Sequence, residues 1–264
     1  ALWLAAPSVI RWLDRPPRRA GVAFTAEEEA ELKTLAREIW QFYEDFVTEE
    51  DHWLPPDNVQ IEPPNGVAHR TSPTNIGLYM ASAVAARDFG FIDTAGLVER
   101  LERTVATIER MEKWEGHLYN WYDTRTLAPL HPVYVSTVDS GNFAACLIAV
   151  REGLLEWVRW DAAGAGGQAG ASGASGGAAD GGRSGADRFR VAFAEELAPL
   201  RERAAHGGGD DDLRERGEKL AARIDALVHA TNFRPLFDAK TNLFSLGYHV
   251  LRQERDTILY DLLA

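Results

Sequence analysis

The sequence predicts a mainly α-helical fold with a few short β-hairpins. Three observations carry that prediction. Long segments repeat apolar residues at helical spacing. Cap residues of the expected kinds stand at the starts of those segments. The connections are alternately short and long, so that successive helices can pack antiparallel. The chain has 264 residues, 45% of them hydrophobic, enough for one large core or two small ones.

The first clear helix opens at Thr25, an N-cap residue, with Glu28 completing a capping box. Leu32, Leu35, Ile39, Phe42, Tyr43 and Phe46 follow at helical spacing. The pattern breaks between Asp51 and Arg70, where Pro55, Pro56, Pro63, Pro64 and Asn65-Gly66 predict an extended loop. A second helix is predicted from Ser72 as N-cap and Pro73 as first helical residue to about Phe89, stopped by Gly90. A third runs from Asp93-Thr94 to about Trp114, with a core stripe of Leu97, Leu101, Val105, Ile108 and Met111. Residues 117–135 alternate and contain Pro129 and Pro132, which predicts a strand-like loop or a hairpin. A fourth helix is expected from Asp139-Ser140 to about Trp160. A fifth spans Asp187–Ala204 and a sixth about Leu213–Thr231, behind a loop at Gly207–Asp212. The tail reads as a hairpin from Leu236 to Tyr248, turning at Thr241-Asn242, and Tyr260 opens another helix.

These elements divide the chain into four parts. Residues 1–24 form an N-terminal arm, 25–160 the first part of a helical domain, 161–186 a flexible Gly/Ala/Ser-rich insertion, and 187–264 the continuation of the domain. The arm is apolar from Ala1 to Ile10, with Trp3 and Trp12 nearby and Arg11, Arg15, Arg18 and Arg19 after it. That order fits a membrane helix leaving on the cytoplasmic side, and equally an amphipathic arm packed on the domain.

The formal net charge of -12 argues against a nucleic-acid partner. The single cysteine, Cys146, permits no disulfide framework and reads as a small core residue. There is no phosphate-binding glycine loop, no His-x-x-x-His pair and no nucleophile elbow. No cofactor and no metal are therefore expected.

What remains is a set of carboxylates, amides and aromatics. His69, Arg70, Thr71, Ser72 and Asn75 crowd five polar side chains around a helix start. Capping accounts for one of them. A ligand with many hydroxyl groups accounts for more. Asn120, Trp121, Tyr122 and Asp123 lie in a strand-like segment that places Asn120 and Tyr122 on one face, Trp121 and Asp123 on the other. Burial of Trp121 and Tyr122 in the core is the competing explanation. Asp139 is either an N-cap or a catalytic carboxylate, with Asn142 nearby as a binding residue. Asp57 and Asn58 touch ligand or form an Asx turn. Carboxylates with aromatics are the kit of glycosidic chemistry.

The blocks Trp53–Asn58, Ala68–Tyr79, Gly116–Arg125 and Tyr134–Asn142 resemble, in order, the glycoamylase-like domain of cyclic β-1,2-glucan synthases. The resemblance covers about residues 1–160, and the tail segments Asn242–Tyr248 and Tyr260–Ala264 share it. Segment 249–258 departs from the family's usual turn, and the insertion at 161–186 is richer than the family needs. The resemblance implies an (α/α)6 toroid, about half of it present, that acts on β-1,2-glucan by cleavage and transglycosylation to release a ring. It implies adjoining glycosyltransferase and phosphorylase-like domains in the same protein, at the cytoplasmic face of a bacterial inner membrane. It also implies that the catalytic glutamates lie beyond Ala264, so that this stretch alone is inactive. Asp139 is then the catalytic candidate here, and Asp57, Asn58, His69, Arg70, Thr71, Asn75, Asn120, Trp121, Tyr122, Asp123 and Asn142 bind substrate. The alternatives are a glucan-binding module without chemistry and a helical spacer.

Overall fold

The computed structural model describes residues 24–166 and 210–260. The chain divides into two units, Ala1–Leu32 with Gly173–His206 and Lys33–Ser172 with Gly207–Ala264. Of the first unit only residues 24–32 are described, the opening of helix α1. The expected arm at 1–24, apart from Phe24, the fifth helix at Asp187–Ala204 and most of the 161–186 insertion lie outside the described residues.

The described residues form five α-helices: α1 (Ala26–Phe46), α2 (Pro73–Asp88), α3 (Thr94–Arg110), α4 (Thr137–Gly166) and α5 (Asp210–Ala230). Their starts follow the capping signals. Thr25 and Glu28 exchange the reciprocal bonds of a capping box, 2.8 Å from the Thr25 amide to the Glu28 carboxylate and 3.2 Å from the Glu28 amide to the Thr25 hydroxyl. Ser72 accepts from the Asn75 amide, with Pro73 as the first helical residue, and Asp93 caps α3 through the Gly96 amide. Gly90 takes φ +73° just after α2, where a left-handed residue ends the helix.

Several boundaries differ from the sequence reading, and helix α5 starts at Asp210, inside the loop expected at Gly207–Asp212. Helix α3 stops at Arg110, and Trp114 instead enters a two-residue hairpin, β4 (Lys113–Trp114) with β5 (His117–Leu118). Gly116 supplies its turn at φ +83°. Helix α4 starts at Thr137 because Ser136, not Asp139 or Ser140, caps it by accepting from the Asp139 amide at 3.1 Å. Its backbone continues helical to Gly166, six residues into the expected flexible insertion. Tyr260 does not open a helix: it pairs with Phe244 in strand β12 (Leu259–Tyr260).

The helices pack in two layers. Thr74 meets Asp139, Gly77 lies against Cys146, and Gly153 against Val84, so α2 and α4 run parallel. A Cβ on Gly77 would sit 2.9 Å from that of Cys146, which sets how closely the two helices approach. Glu102 pairs with Arg216 and Glu109 with Arg223, each 114 residues apart, so α3 and α5 also run parallel. Trp157 over Gly217 and Arg151 with Asp225 make α5 antiparallel to α4. The core lies between the layers. It includes the predicted stripe of Leu97, Leu101, Val105, Ile108 and Met111, together with Ile76, Met80, Leu147, Leu154, Leu220 and Ile224. Burying each such side chain is worth about 1.5–3 kcal/mol.

Short strands decorate one end of this packing. β1 (Val59–Gln60) pairs with β2 (Gly66–Val67), and β3 (Arg70–Thr71) pairs with β6 (Tyr122–Asp123). β7 (Tyr134–Ser136) pairs with β10 (Gly247–His249), which pairs with β11 (Glu254–Arg255). The predicted tail hairpin is β8 (Phe237–Asp238) with β9 (Leu243–Ser245), turned by Asn242 at φ +58°. No described helix is long and apolar enough to cross a membrane.

Candidate functional site

The site is built where β3 runs into α2 and β7 runs into α4. Both helices begin with a serine cap, and their first turns lie side by side. Thr74, in the first turn of α2, donates its hydroxyl to Asp139 Oδ1 at 2.7 Å. Asn142 donates to the Thr74 oxygen at 3.4 Å. The next residue, Asn75, reaches the other way and donates to Asp57 Oδ1 at 3.3 Å. Adjacent residues of one helical turn thus join two polar clusters.

The first cluster is centred on Asp57. Its Oδ2 accepts from Arg70 Nη2 at 2.8 Å, Arg70 Nε at 3.1 Å and Asn58 Nδ2 at 2.9 Å. The Arg70 guanidinium lies 5.3 Å from the Trp121 ring centroid, a cation–π contact worth about 0.5–1 kcal/mol at an exposed site. Register explains the meeting: Arg70 is opposite Asp123, and Thr71 opposite Tyr122. Asp123 itself closes a turn, accepting from the Arg125 and Thr126 amides and the Thr126 hydroxyl. Burial works against its charge, but those Thr126 and Arg125 bonds prevail and hold its carboxyl below the ordinary value.

A second carboxylate, Asp51, lies beneath this surface at 3% exposure. It accepts from the Thr124 hydroxyl and from His69 Nδ1, the latter at 2.8 Å. On the far side of the ring, Arg125 Nη2 approaches His69 Nε2 at 2.8 Å and also pairs with Glu50 at 2.7 Å. Arginine cannot accept a hydrogen bond, so the His69 ring carries its proton on Nδ1. His69 is thereby a strut between a buried carboxylate and a surface guanidinium.

The third group surrounds Tyr134 on β7. Its hydroxyl is 3.3 Å from Asp256 Oδ2, and its ring centroid is 4.8 Å from that of His249. Burial and the nearby Asp256 carboxylate push the phenol up to about 12, with Asp139 adding to the effect. Beside this group, Ser140 faces His117 Nδ1 at 2.9 Å, and His117 Nε2 faces the Asn232 carbonyl at 2.9 Å. The carbonyl fixes the proton on Nε2, so Ser140 is the donor to Nδ1. Both side chains are buried and tie α4 to the loop after α5.

The structure brings Asp57, Asn58, Arg70, Asn75, Trp121, Asp139 and Asn142 together around the first turn of α2. It separates two expected ligand contacts from solvent. Tyr122 is fully buried, its hydroxyl donating to the Glu112 carbonyl at 2.5 Å and accepting from the Tyr119 amide at 2.9 Å. Thr71 is also fully buried, on the same β3–β6 pair. Both are core residues because strand alternation turns them inward. The Asn120 amide donates to the Tyr134 carbonyl, and its buried Oδ1 has no protein partner among the described residues. The sequence reading passed over Thr74, Asp51, Tyr134 and Asp256. Thr74 and Tyr134 sit inside the quoted motifs; Asp51 and Asp256 carry no local signal. Among the described residues no group of His, Cys, Asp and Glu could hold a metal ion.

No protein-family profile matches the chain. A curated relative, the cyclic β-(1,2)-glucan synthase NdvB of Rhizobium meliloti, is 46% identical over 163 residues, 61% of this chain. The chain spans 6% of that relative's length. Among solved structures, a candidate glucoamylase from Bacteroides fragilis aligns with 87% of this chain and 42% of its own, at TM-score 0.52 and 15% identity. An endo-β-1,2-glucanase from Chitinophaga pinensis, solved with sophorotriose and glucose, aligns with 86% of this chain and 41% of its own, also at TM-score 0.52 and 15% identity. A β-1,2-glucanase from Parabacteroides distasonis reaches TM-score 0.55 at 12% identity, over 88% of this chain and 26% of its own. The chain thus resembles a segment of a cyclic β-1,2-glucan synthase in sequence, and has a helical fold like that of these glucoamylase-like and β-1,2-glucanase structures.

Proposed function

We propose that this chain is part of the domain of a cyclic β-1,2-glucan synthase that acts on β-1,2-glucan, cleaving the linear chain and joining its ends by transglycosylation. The observation that carries this reading is the meeting of two polar clusters on Thr74 and Asn75, within the kind of segment that sequence likeness assigns to such a synthase. In this reading the two layers, α2 with α4 and α3 with α5, supply successive hairpins of an (α/α)6 toroid of which the chain forms about half; their parallel pairing supports it. Its polar end is the groove.

In that groove Arg70, bonded to Asp57 and 5.3 Å from the Trp121 ring centroid, offers directed donors to a glucosyl unit, and Trp121 an aromatic surface. Asn58, Asn75 and Asn142 supply amides for ring hydroxyls. His69 keeps Arg125 in place from below, and Asp123 shapes the adjoining turn. Asp139 is the candidate carboxylate for the chemistry. A retaining transglycosylation needs a nucleophile and an acid/base about 5 Å apart. Asp139 would be one member or would orient the sugar against a pair lying downstream. In the whole protein the domain adjoins glycosyltransferase and phosphorylase-like domains at the cytoplasmic face of the inner membrane.

A glucan-binding module without chemistry is the second reading. It is favoured by Asp57, whose carboxylate is already committed to Arg70, Asn58 and Asn75. Product analysis on linear β-1,2-glucan separates the two. The comparison is between this chain and one extended past Ala264 by the rest of the domain. Cyclic product from the extended chain, lost in Asp139→Asn, supports the enzyme. Unchanged glucan with both chains, but binding of it, supports the module.

A further inference from the structure

We propose that Tyr134, His249 and Asp256 form a subsite for neutral sugar hydroxyls beside Asp139, in which the Tyr134 phenol is the adaptable hydrogen-bonding group. The proposal rests on the glucan reading above and extends the groove to strands β7, β10 and β11.

The placement follows from the sheet. Tyr134 is opposite His249 and Ser136 opposite Gly247, while Ser136 caps the helix that carries Asp139. The tyrosine side chain lies across Gly247: a Cβ there would fall 2.3 Å from the phenol oxygen and 2.2 Å from the Val135 carbonyl. Glycine at 247 therefore makes the room in which the phenol rests. Asp256 is fixed by the same sheet. Its amide donates to the Gly247 carbonyl at 2.9 Å, and its Oδ1 accepts from the Ile258 amide at 3.1 Å. Oδ2 is left for the phenol. Tyr134, His249 and Asp256 are all half-buried, so each keeps some surface for a ligand.

The Tyr134–Asp256 bond is 3.3 Å long. Hydroxyl bonds to oxygen are commonest near ~2.7–2.8 Å, so this contact is weak and can shift towards a ligand. While the phenol donates to Asp256, its oxygen can accept from a sugar hydroxyl. Burial, aided by the field of the Asp256 and Asp139 carboxylates, keeps the phenol protonated. The same field disfavours anionic sugars, so the subsite selects neutral glucan.

The test is calorimetric titration of the whole chain with a linear β-1,2-gluco-oligosaccharide. Tyr134→Phe removes only the hydroxyl. Asp256→Asn keeps the acceptor for Ile258 and removes the charge. Each is expected to weaken binding by about 3- to 10-fold, the loss of one neutral hydrogen bond. Binding within twofold of wild type by both folded variants overturns the subsite and leaves the glucan reading standing. No binding by the wild-type chain overturns both. Should a variant unfold, the wild-type protein still decides the matter. Saturating oligosaccharide should shift the Tyr134 ring signals of tyrosine-labelled protein, and unshifted signals overturn the subsite.

Discussion

Thr74 and Asp139 are 65 residues apart in sequence, yet their side chains meet at 2.7 Å between the first turns of two parallel helices. This bond aligns the two helix ends. It also leaves Asp139 Oδ2 outside the contact.

Thr74→Val keeps the shape of the side chain and deletes the donor. A hydrogen bond to a charged group contributes about 1.5–3 kcal/mol, and partial exposure brings the expected loss to about 1–2 kcal/mol. Urea denaturation measures it. Glucan binding should weaken as well, because Asn142 loses its partner on Thr74.

Asp51 supports the site without facing it. Asp51→Ala leaves the Thr124 hydroxyl and His69 Nδ1 without their buried acceptor. The expected cost is about 2–3 kcal/mol. Asp51→Asn, which retains one acceptor oxygen, should lose less. Equal stability of wild type and Asp51→Ala in chemical denaturation would contradict this role.

His117 predicts an acid limb. Burial lowers its imidazole below the ordinary value of 6.5, against the opposing effects of the Asn232 carbonyl and Glu115. The folded value lies below the unfolded one, so its contribution is present above pH 6.5 and is lost as pH falls through the folded value. Stability measured from about pH 7 down to about pH 5 should fall in wild type and fall less steeply in His117→Gln. Identical slopes would show that other groups dominate.

Gly116 combines φ +83° with contact against the C-terminal end of α5. A Cβ there would sit 2.0 Å from the Ala230 carbonyl oxygen. Neither backbone can yield cheaply, so Gly116→Ala should cost at least about 2 kcal/mol. The melting temperature reports it directly.

Leu78 on α2 and Val138 and Ile148 on α4 are 50%, 45% and 43% exposed, on helices that carry apolar residues around much of their circumference. Such helices suit burial on several sides. Light scattering should show concentration-dependent association of this chain, reduced by Leu78→Lys combined with Ile148→Glu. A monodisperse monomer at high concentration would count against it.

Several parts of the fold were legible because their causes are local. The Thr25–Glu28 box, the Ser72–Pro73 start, the α3 stripe and the Asn242 turn each depend on a few neighbouring side chains. Where a distant partner decides, local reading failed. Trp114 looked like a helical residue because the apolar period reaches it, but its ring stacks on Tyr248 at 4.2 Å. Tyr260 looked like a helix start, but Phe244 offers it a strand. Asp139 looked like a cap because the true cap, Ser136, lies inside a strand paired with Gly247.

The sequence by itself determined the helical class, most helix starts, the principal core stripe and the kinship of its motifs. Spacing, capping and composition act over a few residues and need no partner. Only the tertiary structure decided which polar residues share a site. It turned Thr71 and Tyr122 inward, joined Asp57 to Asp139 through one turn of α2, and brought Asp256 from the far end of the chain to Tyr134. Those outcomes depend on which strands pair and which helices run parallel, and contacts across 65 or 122 residues leave no periodic mark in the chain.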